Sequence, residues 1–420
     1  MIKIDTAIFD EQAMRNVYLK TWKTSPLSII TSLKHNIKNC PISSVPTDAQ
    51  RIASMFLKKH FGNDLTNVPE DKIEIYLFRR DLTEIILSFW RCVSLVWTEK
   101  LHTGGLMSGV TDCFAPELSR WNGIRERALE EPDIPLRVKI VKEVITTNTL
   151  PFFTKFTLSD ITSTKDSGTN ITNRAKLKNV KWKFEDDLYH EFEGAIAILS
   201  DVFSYDLLEG DPRHELLTAM HIPVCPYCNR QYITHYEEDR KNRITADLDH
   251  FYCKSKYPYL ALSVYNFVPS CQICNSRFKL ARDFYGAPHL YPYEQNPASR
   301  MTFELADAQL LIDDNAWNNA TSPVLNIRFI GEAATNSNKT FHLDEIYQVH
   351  KDYIHEIVQK SKIYTDKRVE SLLSDFPDLF QTEQDVRAVV YGQYLDEKDA
   401  YKRPLAKLTQ DILNECSSHT

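Results

Sequence analysis

Glycine is scarce in this chain, 11 of 420 residues, and there is no low-complexity tract or internal repeat at solenoid periods. That excludes collagen-like, linker-rich and repeat architectures. Nowhere does a GxxxxGK[ST] loop occur, so the chain carries no ATPase motor of that type. Long apolar runs are also missing. The most apolar stretch, TEIILSFWRCVSLVW, is interrupted by Arg91 and falls short of the roughly 18 residues that a membrane-spanning helix needs. The start, MIKIDTAIFDEQAMRN, lacks a basic segment followed by an apolar core, so no secretory leader is expected.

Excess positive charge is absent too. The net charge is −7, so the surface as a whole is not built to attract nucleic acid. The balance is uneven, however: residues 221–300 hold ten Lys/Arg against seven Asp/Glu, which leaves −10 on the remainder. Nine cysteines are too few and too irregular for a disulfide scaffold. Cys40, Cys92, Cys113, Cys253 and Cys416 stand singly and read as buried thiols. The expectation is a protein without a membrane segment in a reducing compartment, the cytoplasm.

What is abundant is aromatic and apolar residues at helical spacing. With 21 Phe, 20 Tyr and 43% hydrophobic residues, the chain has ample material for large cores. AQRIASMFLKKHFG repeats apolar residues every three or four positions, and KIEIYLFRRDLTEIILSFWRCVSLVWTEKL does so on much of its circumference, predicting a buried central helix. Residues 157–180, rich in Ser, Thr, Asn and Asp, predict a long loop. A helix is expected in EDDLYHEFEGAIAILSDVF, strands in TFELADAQLLI and VLNIRFIGE, and helices again from Leu343 to the end. The reading is mainly α with α+β character overall: a helical domain over 1–215, a small metal-bearing module over 216–300, and short strands followed by helices over 301–420.

The module is defined by Cys225-Pro-Tyr-Cys228 and, after a gap of 42 residues, Cys271-Gln-Ile-Cys274. A CxxC turn sets two sulfurs on one side of a loop, and two such turns complete a tetrahedral four-thiolate Zn²⁺ site. Four thiolates leave no open position, so this zinc is structural. Between the pairs lies Asp249-His250, and strict strand alternation in ITADLDHFYC puts these two on opposite faces, so a bend or bulge is expected. Asn266 follows 16 residues after His250 and Asn275 another nine later. A helix through CNSRFKLARDF would align Asn275, Lys279 and Arg282, with Arg277 turned away. Tyr257, Tyr259 and Tyr265 read as module core rather than as a base-stacking platform, and His289 as structural.

The run DLDHFYCKSKYPYLALSVYNFVPSCQICNSRFK resembles the HNH endonucleases, the ββα-metal (His-Me finger) nucleases with zinc-binding cysteine pairs. The resemblance covers roughly residues 221–295. It implies His250 as the general base that activates water, Asp249 and Asn275 as ligands of a catalytic Mg²⁺ or Mn²⁺, and Asn266 as the brace of the loop. The last position is His in many members and Asn here; an amide oxygen suits a hard cation. In that reading the cation bridges the scissile phosphate and the leaving 3′ oxygen. Lys279, Arg282, Lys254 and Lys256 would hold flanking phosphates of nucleic acid, DNA foremost, with solvated surface charge as the alternative for the two loop lysines. With its large helical flanks the chain is also similar to bacterial antiphage effectors, including nuclease subunits of Septu-like and retron-associated systems that work beside an ATPase subunit. The acidic flanks are then expected to restrain the nuclease. The competing reading is a non-catalytic four-cysteine zinc module that binds nucleic acid or protein; it gives no reason for Asp249, His250, Asn266 and Asn275 at these intervals.

Overall fold

Apolar periodicity builds the N-terminal helices, and polar side chains set where they begin. The computed structural model describes residues 1–22, 26–103, 162–164, 170–172, 183–238, 241–294, 300–319 and 324–418. Helix α1 (Glu11–Leu19) is capped by Asp10, α2 (Ile29–Lys38) by Ser28, and α3 (Asp48–Phe61) by a Thr47–Gln50 capping box. The segment expected as one central helix is two. Helix α4 (Glu70–Leu77) ends at Phe78, and α5 (Leu82–Thr103) starts where the Asp81 carboxylate accepts from Glu84 N and Thr83 Oγ1. A local Asp cap thus outranks a continuous apolar pattern. Ile85, Ile86, Phe89, Val93 and Val96 of α5 are buried while Arg91 and Leu95 are exposed, so the helix is buried on one side only.

Within 157–180 the described residues are β1 (Thr162–Thr164) and β2 (Asn170–Thr172), an antiparallel pair in place of the expected loop; the rest of that stretch lies outside the described residues. Helix α6 (Lys183–Val202) crosses α3 at Gly194, where a Cβ would lie 2.9 Å from the Ala49 Cβ. A short turn, Tyr205–Leu208, and Gly210 at φ 78° then redirect the chain into α7 (Asp211–Ala219). Next come two hairpin-like pairs, β3 (His235–Glu238) with β4 (Lys241–Ile244), and β5 (Asp247–His250) with β6 (Phe267–Ser270). A π-helical segment, Ile273–Lys279, follows β6. The C-terminal part pairs β7 (Met301–Leu305) with β8 (Leu325–Phe329), within the two segments expected as strands, although Gln309–Ile312 at the end of the first is helical. Its main helices are α8 (Glu332–Phe341), α9 (Lys351–Ile363), α10 (Asp366–Asp375), α11 (Glu383–Tyr391) and α12 (Ala406–Ser418).

The described chain is mostly helical, with short two-stranded sheets. One hydrophobic cluster runs from Met1 to Cys416 and includes all four paired cysteines, so the central segment shares its core with both flanks. Tyr18 and Tyr76 donate to the Leu262 and Tyr259 carbonyls, each at 2.9 Å, tying N-terminal helices to the aromatic loop. Asn229, beside the first cysteine pair, donates to Ala400 O and accepts from Lys407 N. Tyr347 donates to Cys228 O, and Tyr227 stacks on Phe341 at 4.6 Å. Among the single cysteines Cys92, Cys253 and Cys416 are buried and Cys40 is half-buried, while Cys113 lies outside the described residues. No helix among the described residues is long and apolar enough to cross a membrane.

Candidate metal centre and catalytic pocket

The two CxxC turns lie where the chain bends around β5 and β6. Asn229 N bonds back to Cys225 O at 2.8 Å with Asn229 at φ 47°, and Asn275 N bonds back to Cys271 O at 3.0 Å. These closures bring the sulfurs of Cys225, Cys228, Cys271 and Cys274 within 4.8 Å of one another, all buried. A tetrahedral zinc with bonds of about 2.3 Å needs sulfurs about 3.8 Å apart, so the four thiols could hold such an ion with little movement. Burial raises the Cys225 thiol, while hydrogen bonds with Cys225, Cys228 and Cys274 hold Cys271 below the ordinary thiol range.

Asp249 and His250 sit beside this clamp. The β5–β6 register is regular, with Asp249 opposite Val268 and His250 opposite Phe267, so the expected bulge is absent. Both residues still line one cavity of about 400 Å³, because His250 is the last residue of its strand and the chain turns there. Its ring is held edge-on between Tyr205 (4.8 Å between centroids) and Phe267 (5.0 Å). His250 Nε2 lies 3.0 Å from Ala261 O, which makes Nε2 the protonated nitrogen and leaves the lone pair on Nδ1. Burial lowers its pKa to about 3, so the imidazole is neutral.

Asn266 is fully buried and clamps the intervening loop: Oδ1 accepts from Tyr252 N at 2.8 Å, and Nδ2 donates to Tyr252 O and Leu260 O. Asp249 is buried as well. It accepts from Tyr227 Oη at 2.6 Å and from Lys279 Nζ at 3.0 Å. Burial raises its pKa, and the Lys279 charge and the Tyr227 hydroxyl work against that rise. The side chain of Asn275 donates to Asp247, which lies two residues before Asp249 on the same strand face, at 3.0 Å; Ser276 Oγ donates to the same Asp247 oxygen. Oδ1 of Asp247 and Oδ1 of Asn275 remain available as oxygen donors. They share one cavity with Asp249, whose two oxygens accept from Tyr227 and Lys279; among the described residues the four cysteines are the cluster close enough to hold a metal ion.

The expected phosphate contacts fare differently. Lys279 is 1% exposed, with Nζ committed to Asp249 and to His250 O at 2.6 Å, so it is an internal counter-ion rather than a surface cation. The helical segment stops at Lys279, because Leu280 adopts φ 52° and closes a π-type bond to Asn275 O. Arg282 therefore leaves the expected face, and its Nε donates to Phe278 O. Lys256 pairs with Asp283. Of the four, Lys279 and Lys254 line the cavity, Lys279 as the buried partner of Asp249 and Lys254 as an exposed cation with Nζ 4.3 Å from the Tyr205 ring centre. Tyr257, Tyr259 and Tyr265 are buried in the core, and His289 is stacked on Phe284 and bonded to Thr340.

Residues that motif reading did not pick out also line the cavity. Asp247 carried a legible signal, its i, i+2 spacing from Asp249. Tyr205 and Arg213 carried none, since they enter from the turn before α7 and from α7 itself. A larger cavity of about 790 Å³ lies among the C-terminal helices and contains none of these groups; ligand chemistry, not volume, singles out the smaller one. Comparison with protein-family models, with curated proteins and with solved structures returns no match for this chain.

Proposed function

We propose that this protein is a metal-dependent endonuclease of the HNH kind that hydrolyses phosphodiester bonds in nucleic acid, DNA foremost. In this reading zinc in the four-cysteine clamp is structural. The observation that carries the reading is the setting of His250: neutral, with Nε2–H committed to a backbone carbonyl, and placed in one cavity with the oxygen-bearing side chains of Asp247, Asp249 and Asn275.

A divalent cation held by Asp247, Asp249 and Asn275 would supply Lewis-acid charge for the phosphate and the departing oxygen. His250 Nδ1 accepts the proton of a water as that water's oxygen bonds to phosphorus and the P–O3′ bond breaks. The Ala261 carbonyl holds the ring orientation and stabilises the imidazolium that forms. Asn266 fixes the loop that carries Ala261, through its bonds to Tyr252 and Leu260. Lys279 balances the carboxylate charge from inside, and Tyr227 fixes the Asp249 rotamer. A non-catalytic zinc module gives this arrangement no use.

Plasmid cleavage with Mg²⁺ or Mn²⁺ tests the assignment. His250→Ala is expected to lower cleavage by at least about 100-fold, the usual contribution of a general base. Cutting by His250→Ala at the wild-type rate would overturn it. The wider setting, a nuclease subunit of antiphage defence beside an ATPase, rests on the family resemblance; co-purification of an ATPase supports it, and full unregulated cleavage by the isolated chain counts against it.

A further inference from the structure

A cavity lined by carboxylates faces a difficulty with a polyanionic substrate: its own charge repels the phosphates it must hold. Lys279 does not relieve this, because its ammonium is internal and paired. Two other cations line the same cavity, Arg213 and Lys254, and both are exposed. They come from distant parts of the chain, Arg213 from the first turn of α7 and Lys254 from the loop after β5. Tyr205 joins them. Its hydroxyl lies near the Arg213 guanidinium, its ring carries the Lys254 ammonium at 4.3 Å, and the same ring packs edge-on against His250 at 4.8 Å.

We infer that Arg213 and Lys254, organised by Tyr205, form a phosphate subsite that grips the backbone of the nucleic acid next to the scissile bond. The inference rests on the nuclease reading of the same cavity. A guanidinium offers a forked pair of donors to phosphate oxygens and an ammonium a compact point charge, and together they bracket one phosphodiester. Tyr205 is a positioning residue: through one ring it couples the clamp to the base, so a correctly seated phosphate and a correctly held imidazole share a support. The residues before α7 make this possible. Gly210 at φ 78° turns the chain, and Pro212 sets the first turn of α7, which carries Arg213.

The test measures binding separately from cleavage. Zinc-loaded protein without added magnesium is titrated into fluorescein-labelled DNA, single-stranded and duplex, over a range of salt. Arg213→Ala and Lys254→Ala are each expected to weaken binding about tenfold and to flatten the log–log salt slope by about 0.9 on duplex. Each should raise KM for plasmid cleavage far more than it lowers kcat. Arg277→Ala, which removes an exposed charge outside the cavity, should change neither. Tyr205→Phe should leave the Lys254 contribution intact, because it keeps the ring on which Lys254 sits. Both cation positions are exposed, so unchanged melting temperatures are expected for their variants. If wild type cuts through His250 but Arg213→Ala and Lys254→Ala bind and cut normally, the subsite is wrong and the nuclease reading stands. If wild type neither binds nor cuts nucleic acid with Mg²⁺ or Mn²⁺, the nuclease reading fails and the subsite with it.

Discussion

Asp249 is the partner of a buried lysine and, in the proposed function, also a ligand for a cation. Its pair with Lys279 is 4% and 1% exposed on the two sides, so removing one charge strands the other out of water. Asp249→Ala is therefore expected to cost about 3–5 kcal/mol in urea unfolding, and Asp249→Ala combined with Lys279→Met to recover part of that. Cleavage should stay absent in both, which separates stability from chemistry. Asp247 makes the contrasting case. It is half-buried, its hydrogen bonds go to Asn275 and Ser276, and no buried charge depends on it. Asp247→Ala should melt close to wild type yet need several-fold more Mg²⁺ for half-maximal cleavage; an unchanged Mg²⁺ requirement would remove Asp247 from the ligand set.

Among the elements, the cysteine turns and the α3–α6 crossing carry the sharpest expectations. Removal of metal from the four-thiolate site should unfold more than a local loop, because Asn229 and Tyr347 tie the first turn to the C-terminal helices. Cys271→Ser or chelation is expected to lower the melting temperature of the whole described fold in one transition, whereas His250→Ala leaves the protein folded and zinc-loaded. A first transition confined to residues near the clamp would contradict this. At the crossing, Gly194→Ala forces a Cβ to 2.9 Å from that of Ala49, two rigid groups with no rotamer to yield. Overpacking of this kind costs about 1–3 kcal/mol, to be read from urea midpoints.

For the molecule as a whole, pH dependence follows from buried histidines. Burial lowers the pKa of His60, His289 and His350 to about 4 and of His250 to about 3, from 6.5. The unfolded chain thus binds more protons than the native one between these values. Stability from these groups is fully present above pH 6.5 and is lost as pH falls toward 4. Asp249 and Asp411, raised by burial, act in the opposite sense at the acid end. The melting temperature is therefore expected to drop between pH 7 and pH 5; a flat profile there would argue against the buried neutral state. Shared packing also revises the expectation that the flanks merely restrain the central module. Excising residues 1–215 would remove Tyr205 and Arg213 and expose core that contacts the aromatic loop, so truncation should abolish folding rather than release activity.

The order of motifs was legible because the constraints behind it are local. A CxxC turn, an Asp beside a His and an Asn after the last cysteine are settled by covalent spacing, and the structure brings them together around β5 and β6. Helix positions were legible too where apolar periodicity was uncontested; they failed at Asp81 and at Leu280, where a side-chain cap and a positive φ ended the run. Other features depend on sums over the whole chain. Whether Lys279 reaches solvent or an internal carboxylate, which aspartate meets Asn275, and that a tyrosine and an arginine from beside α7 complete the cavity all follow from packing between segments far apart in sequence. No spacing rule contains that information, since burial and long-range pairing exist only once the core has closed.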